Sequence, residues 1–558
     1  MKFSEKWLRT WVDPNIGTDE LCDQLTSAGL EADVIETVPD EFNGVVIGEI
    51  LELRAHPNAD RLSVCTVFDG SDKFSVVCGA PNARVGLKTA FAMVGSELPD
   101  GLEIQPTKLR GVQSYGMLCS AKELGISDDH DGIMELSNTL SLGLGLREAM
   151  DLDEVSIDLD LTPNRGDCFS VRGVAREVAV INRMSTIEPV ISEVPASTEK
   201  IFPIEVHAPS ACPRYLGRVI EGVDISQVAP AWMVERLERS GLRSIDPVVD
   251  VTNYILLELG QPLHAFDLAS LDDRIVVRMA EEGERLTLLD GNSIELDEES
   301  LVIADGTGPL AIAGVMGGVK SGVTETTSDV FLECAFFSPE AIMGTGRRYG
   351  IQTDASQRYE RGVDSELQGA AMERATALLI EIAGGNPGPV NEVVDETSLP
   401  RAKELTLRSA RLEHLLGERI KDDEVFGILE RLEFRPKEVP DGWEITTPSH
   451  RFDISIEEDL VEEVCRIYGY DAIPTRTTLT ASPLKPSRRD RINPADLRNL
   501  MVHLGYNEVI TYSFISPEQH DLFSPDIQAL VIENPMSKDQ SVMRTSLIPG
   551  LIDALVSN

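Results

Sequence analysis

SHRFDISIEEDLVEEVCRIYGY, Ser449 to Tyr470, places six carboxylates in the eleven residues that start at Asp453: Asp453, Glu457, Glu458, Asp459, Glu462 and Glu463. Ser455 followed by Glu458 fits a capping box, which predicts a helix starting at Ser455. Glu457, Glu458 and Asp459 then fall in or near the first turn, where the helix macrodipole favours negative charge. That account does not reach Glu462 and Glu463. With Asp459 they stand at i, i+3 and i+4 on one face, where each like-charged pair destabilises a helix by about 0.2–0.5 kcal/mol. Arg466 relieves Glu462 at i+4 only in part. Two readings account for the surplus charge. One is a solvated acidic face. The other is a cluster neutralised by a basic partner surface or a hard cation such as Mg²⁺, which takes oxygen ligands and keeps several waters.

The surrounding chain has 558 residues, too many for one core, and predicts roughly three to five domains. It carries 94 acidic against 50 basic residues, a formal net charge of −44. Such a chain does not coat nucleic acid through bulk charge, so any such contact uses local basic patches or a partner. The eight cysteines (Cys22, Cys65, Cys78, Cys119, Cys168, Cys212, Cys334 and Cys465) include no C-x-x-C pair. This spacing suits reduced thiols rather than a zinc site or a disulfide framework. The opening MKFSEKWLRTWVDP lacks the apolar core of a signal peptide, and no run approaches the ~20 apolar residues of a membrane span. The expectation is a cytoplasmic protein with no membrane contact.

Along the chain, TDELCDQLTSAGLEADVIE has apolar residues at helical spacing behind a Thr18 cap. From Val45 the pattern becomes strand-length runs that end in Gly, Pro, Asn or Asp, which predicts a small β-barrel. SVRGVAREVAVINRM returns to an amphipathic helix, and EPVISEVPASTEKIFP reads as a linker. A mixed α/β stretch follows and closes with the helix LQGAAMERATALLIEIAG, and GGNPGPVNEVVDETSLP is the next break. ASPLKPSRRDR is a Pro-rich basic connector, and the final GLIDALVSN is helix-like without terminal punctuation, the pattern expected of a C-terminally truncated chain.

Read whole, PSHRFDISIEEDLVEEVCRIYGYDAIP resembles the β subunit of bacterial phenylalanine–tRNA ligase. AHPNADRLSVC, VVCGAPN and LRGVQSYGMLCS resemble its tRNA-binding barrel, and LTPNRGDCFSVRGVAREVA the helical unit after it. VDVTNYILLELGQPLHAFD, IAGVMGG, LECAFFSP and TDASQRYERGVD resemble its editing domain, and NPMSKDQSVMRTSLIPGL the opening of its catalytic-like module. The resemblance is collinear over essentially the full chain. It implies a multidomain α+β fold: a helical N-terminal unit at 1–38 and 149–200, and an oligonucleotide-binding β-barrel at 39–148 inserted near it. It further implies a mixed α/β editing domain at 205–385, a small α/β domain with the acidic helix at 401–475, and a partial, inactive class II synthetase-like module at 485–558.

The resemblance also implies roles. Asp453, Asp459, Glu462 and Glu463 become Mg²⁺ ligands in a site shared with an α subunit. Glu333, which by itself reads as strand surface or as a buried polar group needing a partner, becomes the acceptor for the hydroxyl of a misattached tyrosine. His264, with Thr252 and Asn253, would position the terminal adenosine or a water; alone, His264 reads more simply as a structural histidine. Gly314, Gly317 and Gly318 would allow close backbone approach, and Ala313 and Ala355 would shape the wall. No activated nucleophile is apparent near these motifs, so water is the expected attacker, and Cys334 is expected on the face opposite Glu333. Lys108 and Arg110, with Arg54, Arg61, Tyr115 and Phe91, are the candidates for tRNA contact, against a plain structural barrel. Arg544 resembles the arginine of the second class II motif. The implied partners are the α subunit in an α₂β₂ heterotetramer, tRNA(Phe), and ATP and phenylalanine bound through α. A free tRNA-binding protein and a stand-alone editing hydrolase are the competing readings, which co-purification with an α partner separates.

Overall fold

The computed structural model describes residues 1–36, 42–99, 101–126, 131–475 and 493–558. The chain divides into two compact units, Met1–Arg476 and Thr477–Asn558. The predicted connector ASPLKPSRRDR lies outside the described residues.

The first unit begins with a three-stranded antiparallel sheet in which the strand Val155–Asp160 lies between Lys2–Ser4 and Glu31–Glu36. This corrects the purely helical expectation for the N-terminal unit. The helix Thr18–Ser27 stops well before EADVIE, because Gly29 turns the chain at φ +91° and Glu31–Glu36 continues as a strand. Its N-cap is Gly17, not Thr18, whose hydroxyl donates to Glu5 Oε2 at 2.8 Å. The helix Val171–Ile181 forms as its amphipathic pattern predicts, capped by the Ser170 hydroxyl, which accepts from the Gly173 amide at 3.0 Å.

The strands Glu31–Glu36 and Val155–Asp160 pair with each other, so everything between them is an insertion at the end of one hairpin. The insertion holds a five-stranded antiparallel sheet built on the long strand Asn43–Ala55, with Ser63–Phe68 and Lys73–Cys78 on one side and Lys88–Glu97 and Met117–Leu118 on the other. The Tyr115 amide donates to the Ser75 carbonyl at 2.8 Å, which brings the two edges round towards closure. A small hairpin, Thr107–Leu109 with Val112–Ser114, projects from it.

The central part carries two sheets. In one, Arg214–Glu221 pairs with Val330–Phe336, which pairs in turn with His264–Asp267. The segment predicted as a break also contributes: Asn386–Pro387 and Asn391–Val394 both return to pair with Arg214–Glu221. Val330–Phe336 is buried at every residue, so the strand separates two cores. Val330, Leu332 and Cys334 join a core with the helices Pro247–Leu259 and Gln368–Ala383. Phe331 and Ala335 join a second core with the Leu301–Asp305 sheet, and Glu333 points to that side. Last in this unit comes a three-stranded sheet, Glu404–Arg408, Gly442–Thr446 and Arg435–Val439, packed with the acidic helix Glu457–Tyr468.

The second unit contains the helices Pro494–His503, Pro517–Phe523 and Ile548–Ser557 and a two-stranded pairing of Phe514–Ile515 with Val542–Met543. Arg544 is held inside it, with Nη1 donating to Thr511 Oγ1 at 2.7 Å.

Candidate functional site

Antiparallel register sets His264 directly opposite Glu333. Both side chains face a cavity of about 190 Å³ on the second-core side of the sheet, lined also by Gly314, Gly317, Ala355, Phe337 and Tyr359. Among the described residues, Glu333 Oε1 and His264 Nε2 are buried and have no hydrogen-bond partner. Burial is the cause of both titration shifts. It pushes the Glu333 carboxyl up to about 8 and the His264 imidazole down to about 4, so both are neutral near pH 7. The site therefore presents two uncharged side chains, each with one buried polar atom that no other described residue satisfies.

The wall is shaped by small residues. A Cβ on Gly317 would stand 2.6 Å from His264 Cε1, so the glycine makes room for the ring. Gly314 turns at φ +67°, and a Cβ there would meet Tyr359 Cδ2 at 2.9 Å. Gly318 lies outside the lining, pressed against the Leu310 carbonyl, and Ala313 is turned into the core. Thr252 and Asn253 are not in this lining. Both lie on the helix Pro247–Leu259, which belongs to the opposite core, and Thr252 Oγ1 donates to the Val249 carbonyl at 2.9 Å within that helix. Cys334 faces away as expected, its thiol on the Gln368 carbonyl at 3.4 Å. The lining holds three polar side chains, His264, Glu333 and Tyr359, and no serine, cysteine or lysine.

Tyr359 was not singled out from sequence. It stands at i+4 from Ala355 on the helix Asp354–Arg361, which is the signal that places both on one face. Its hydroxyl donates to the Ala335 carbonyl at 2.9 Å. Gln261 Nε2 reaches the same carbonyl at 3.0 Å, and Gln368 Nε2 donates to Gln261 Oε1 at 2.9 Å. This buried amide chain fixes the strand that carries Glu333.

The acidic helix is organised differently from the sequence reading. It starts at Glu457, and the cap is supplied by Asp459, whose Oδ2 accepts from the Ser455 and Ile456 amides at 2.6 and 2.9 Å. Glu458 pairs instead with Arg411 at 2.8 Å. Glu463 is buried between two arginines, Arg451 Nη1 and Arg466 Nη2, each at 2.6 Å. Burial opposes its charge, yet these two guanidinium groups hold its carboxyl far below the usual range. Asp453 takes a bidentate pair from Arg451 at 2.9 and 2.6 Å. Arg466 does not relieve Glu462; it turns inward to Glu463 and to Glu177 of the helix Val171–Ile181. Glu462 is exposed. The four predicted ligands are thus not brought together, and as a four-carboxylate cage for Mg²⁺ they do not fit: two are neutralised by Arg451, one caps the helix and one faces solvent. A tighter group, Asp167, Cys168 and Glu177, has ligand atoms within 4.8 Å of one another. Its centre is filled by Arg165 Nη2, at 2.9, 3.1 and 2.8 Å from the three side chains.

On the inserted barrel, Lys108 and Arg110 are exposed on the small hairpin, with Tyr115 46% exposed after it. Phe91 is fully buried in the barrel core and offers no stacking face. Arg54 pairs with Glu52, and Arg61 is exposed.

Family models match the chain in order: a tRNA binding domain at 45–144, a B3/4 domain at 211–384, a tRNA synthetase B5 domain at 405–470 and a phenylalanyl tRNA synthetase beta chain CLM domain at 473–558. The Phenylalanine--tRNA ligase beta subunit of Pseudomonas putida is 52% identical over 562 residues, covering 100% of this chain and 71% of that protein. This chain belongs to the phenylalanine–tRNA ligase β-subunit family. The corresponding subunits of Idiomarina loihiensis and Vibrio vulnificus are 53% and 52% identical, each spanned to 70% by the whole of this chain. A solved N-terminal fragment of the phenylalanyl-tRNA synthetase beta-subunit from Pyrococcus horikoshii aligns at 18% identity with a TM-score of 0.30, over 57% of this chain and 88% of that one. As a phenylalanine–tRNA ligase β subunit, the chain is part of an aminoacyl-tRNA synthetase, with a tRNA-binding domain and an α subunit as partner. No helix among the described residues is long and apolar enough to cross a membrane.

Proposed function

We propose that the Glu333–His264 cavity removes tyrosine wrongly attached to tRNA(Phe), within an α₂β₂ enzyme whose α subunit binds ATP and phenylalanine. The observation that carries this reading is the pair of unpartnered polar atoms, Glu333 Oε1 and His264 Nε2, on one cavity wall. A phenylalanine ring entering the cavity leaves both orphaned. A tyrosine ring brings one hydroxyl that donates and accepts. The protonated Glu333 carboxyl still has a carbonyl oxygen to accept from the phenol, and the neutral imidazole can answer it. Leaving a buried polar group unpaired costs about 1–3 kcal/mol, which is why a polar pocket rejects the analogue lacking a hydroxyl. With no nucleophile in the lining, water attacks the ester, and the chain's part is to hold the aminoacyl group while the glycine-rich wall lets the ester approach.

The exposed hairpin with Lys108 and Arg110 is the proposed tRNA contact of the barrel. For Mg²⁺, Asp459 and Glu462 are the two predicted ligands not neutralised by an arginine. A Mg²⁺ site needs only one or two carboxylates when waters complete the shell, and no step of the hydrolysis is assigned to it.

The test is deacylation of tyrosyl-tRNA(Phe) by the enzyme assembled with α. Glu333→Ala is expected to lower kcat/KM for this hydrolysis by about 10- to 100-fold, the size of one lost buried hydrogen bond, with aminoacylation by phenylalanine unchanged. Parental deacylation by the variant would remove Glu333 from the role.

A further inference from the structure

Another cavity, of about 540 Å³, opens where three parts of the first unit meet: the helix Val171–Ile181, the chain entering the helix Gln368–Ala383, and the three-stranded sheet beside the acidic helix. Neither tRNA contact by the barrel nor editing uses it. Six cations line it, Arg172, Arg176, Arg401, Lys403, Arg435 and Arg451, against three carboxylates, Asp364, Glu366 and Glu433. The chain as a whole runs the other way, with 50 basic to 94 acidic residues, so the sign of the charge is reversed locally. Part of this positive charge is already spent. Arg172 pairs with Glu188 at 3.0 Å, and Arg451 with Asp453 and Glu463 at 2.6 Å each. Arg176 Nε lies 3.3 Å from Glu433 Oε1, yet this buried nitrogen makes no hydrogen bond. The guanidinium groups of Arg401 and Arg435 are exposed and have no partner among the described residues, and the Lys403 ammonium donates only to the Ile454 carbonyl at 3.1 Å. Of the carboxylates, Asp364 accepts from the Glu366 amide at 3.0 Å, and Glu366 is exposed.

Neutral donors point the same way. Ser365, in the lining, is 4% exposed, and its hydroxyl has no hydrogen-bond partner among the described residues. The His450 ring stands 4.0 Å from Glu433 and makes no hydrogen bond among them either. Ser365, Glu366 and Leu367 lead into the 16-residue helix Gln368–Ala383, whose start no side chain caps. With Ala370 also in the lining, the positive end of that helix macrodipole meets the cavity wall. We propose that this cavity binds a phosphate group, carried either by a free nucleotide or by the backbone of an RNA. Arg401 and Arg435 supply charge and the forked donor geometry that matches a phosphate. Ser365 and the start of Gln368–Ala383 supply neutral donors, and Arg176 and Glu433 hold the wall between them. The volume falls within the ~300–1,000 Å³ usual for small-molecule sites.

The experiment titrates the intact chain with inorganic phosphate, AMP and tRNA(Phe), each against two double variants. Arg401→Ala with Arg435→Ala is expected to weaken binding of the phosphate-bearing probe by about tenfold or more, the scale of one charge-assisted hydrogen bond. Both positions are exposed, so this variant tests the site rather than the fold. Arg243→Ala with Arg347→Ala removes the same charge from exposed positions outside the lining and is expected to leave binding unchanged. AMP bound at least about tenfold more tightly than inorganic phosphate, and lost in the Arg401–Arg435 variant, assigns the phosphate to a nucleotide. A loss of tRNA(Phe) affinity confined to that variant, with a shallower salt dependence, assigns it to RNA. Equal losses in the two double variants would overturn the proposal. So would an absence of saturable phosphate and AMP binding together with unchanged tRNA(Phe) affinity in the Arg401–Arg435 variant.

Discussion

Glu333 is neutral in the folded chain up to about 8 but ionises near 4.5 when unfolded, so across that window the folded state holds more protons. Stability from this residue is therefore complete below about 4.5 and is lost as pH rises towards 8. His264 runs the other way. Folded, it stays neutral down to about 4, against 6.5 unfolded, so its contribution is present above 6.5 and is lost as pH falls through 4. Glu333→Gln keeps the shape and removes only the first dependence. The stability of the variant is expected to decline less than that of the parent between about pH 4.5 and 8, by on the order of a few kcal/mol at the alkaline end; parallel profiles would count against burial as the source of the shift. The sequence made Glu333 conspicuous because Phe331, Leu332, Ala335 and Phe336 surround it. It did not show that both faces of that strand are covered, which depends on helices and a second sheet drawn from well over 100 residues of chain.

Among the elements, the acidic helix shows where local reading succeeds and where it stops. A helix over this segment was legible from its periodicity, and so was Val171–Ile181 behind Ser170. The cap was misplaced because the Ser455 hydroxyl donates to Asp459 Oδ2 at 3.3 Å instead of accepting from the helix amides, and the same carboxylate takes the Ser455 and Ile456 amides. Asp459→Ala is expected to cost about 1 kcal/mol in urea unfolding, the usual worth of a cap. In the assembled enzyme, Asp459→Asn with Glu462→Gln is expected to weaken Mg²⁺ binding by calorimetric titration, whereas unchanged Mg²⁺ affinity would leave Asp459 as a cap alone. EADVIE failed for a related reason. Its apolar spacing suits either a helix or a strand, and only Gly29 and the pairing with Val155–Asp160 choose the strand.

Across the whole first unit, Glu177, Arg466, Glu463, Arg451 and Asp453 form one buried chain of charges that ties the N-terminal helix Val171–Ile181 to the acidic helix. Glu177 and Arg466 are 289 residues apart, so no spacing rule reveals them. Removing one member of a buried pair strands the other, and Glu177→Ala is expected to destabilise the chain by about 3–5 kcal/mol in chemical unfolding. Replacing Glu177 and Arg466 together by apolar residues is expected to recover most of that loss. A double variant as unstable as the sum of the single variants would mean that the two residues act independently.

The strand Asn391–Val394 runs beside Arg214–Gly217, yet the B3/4 match ends at 384. Anyone excising that domain at the profile boundary would therefore strip the flank of its central ribbon and bare unpaired amides and carbonyls. Such a piece would invite stacking with its own copies in the test tube, while carrying the cut past Val394 would keep that seam sewn.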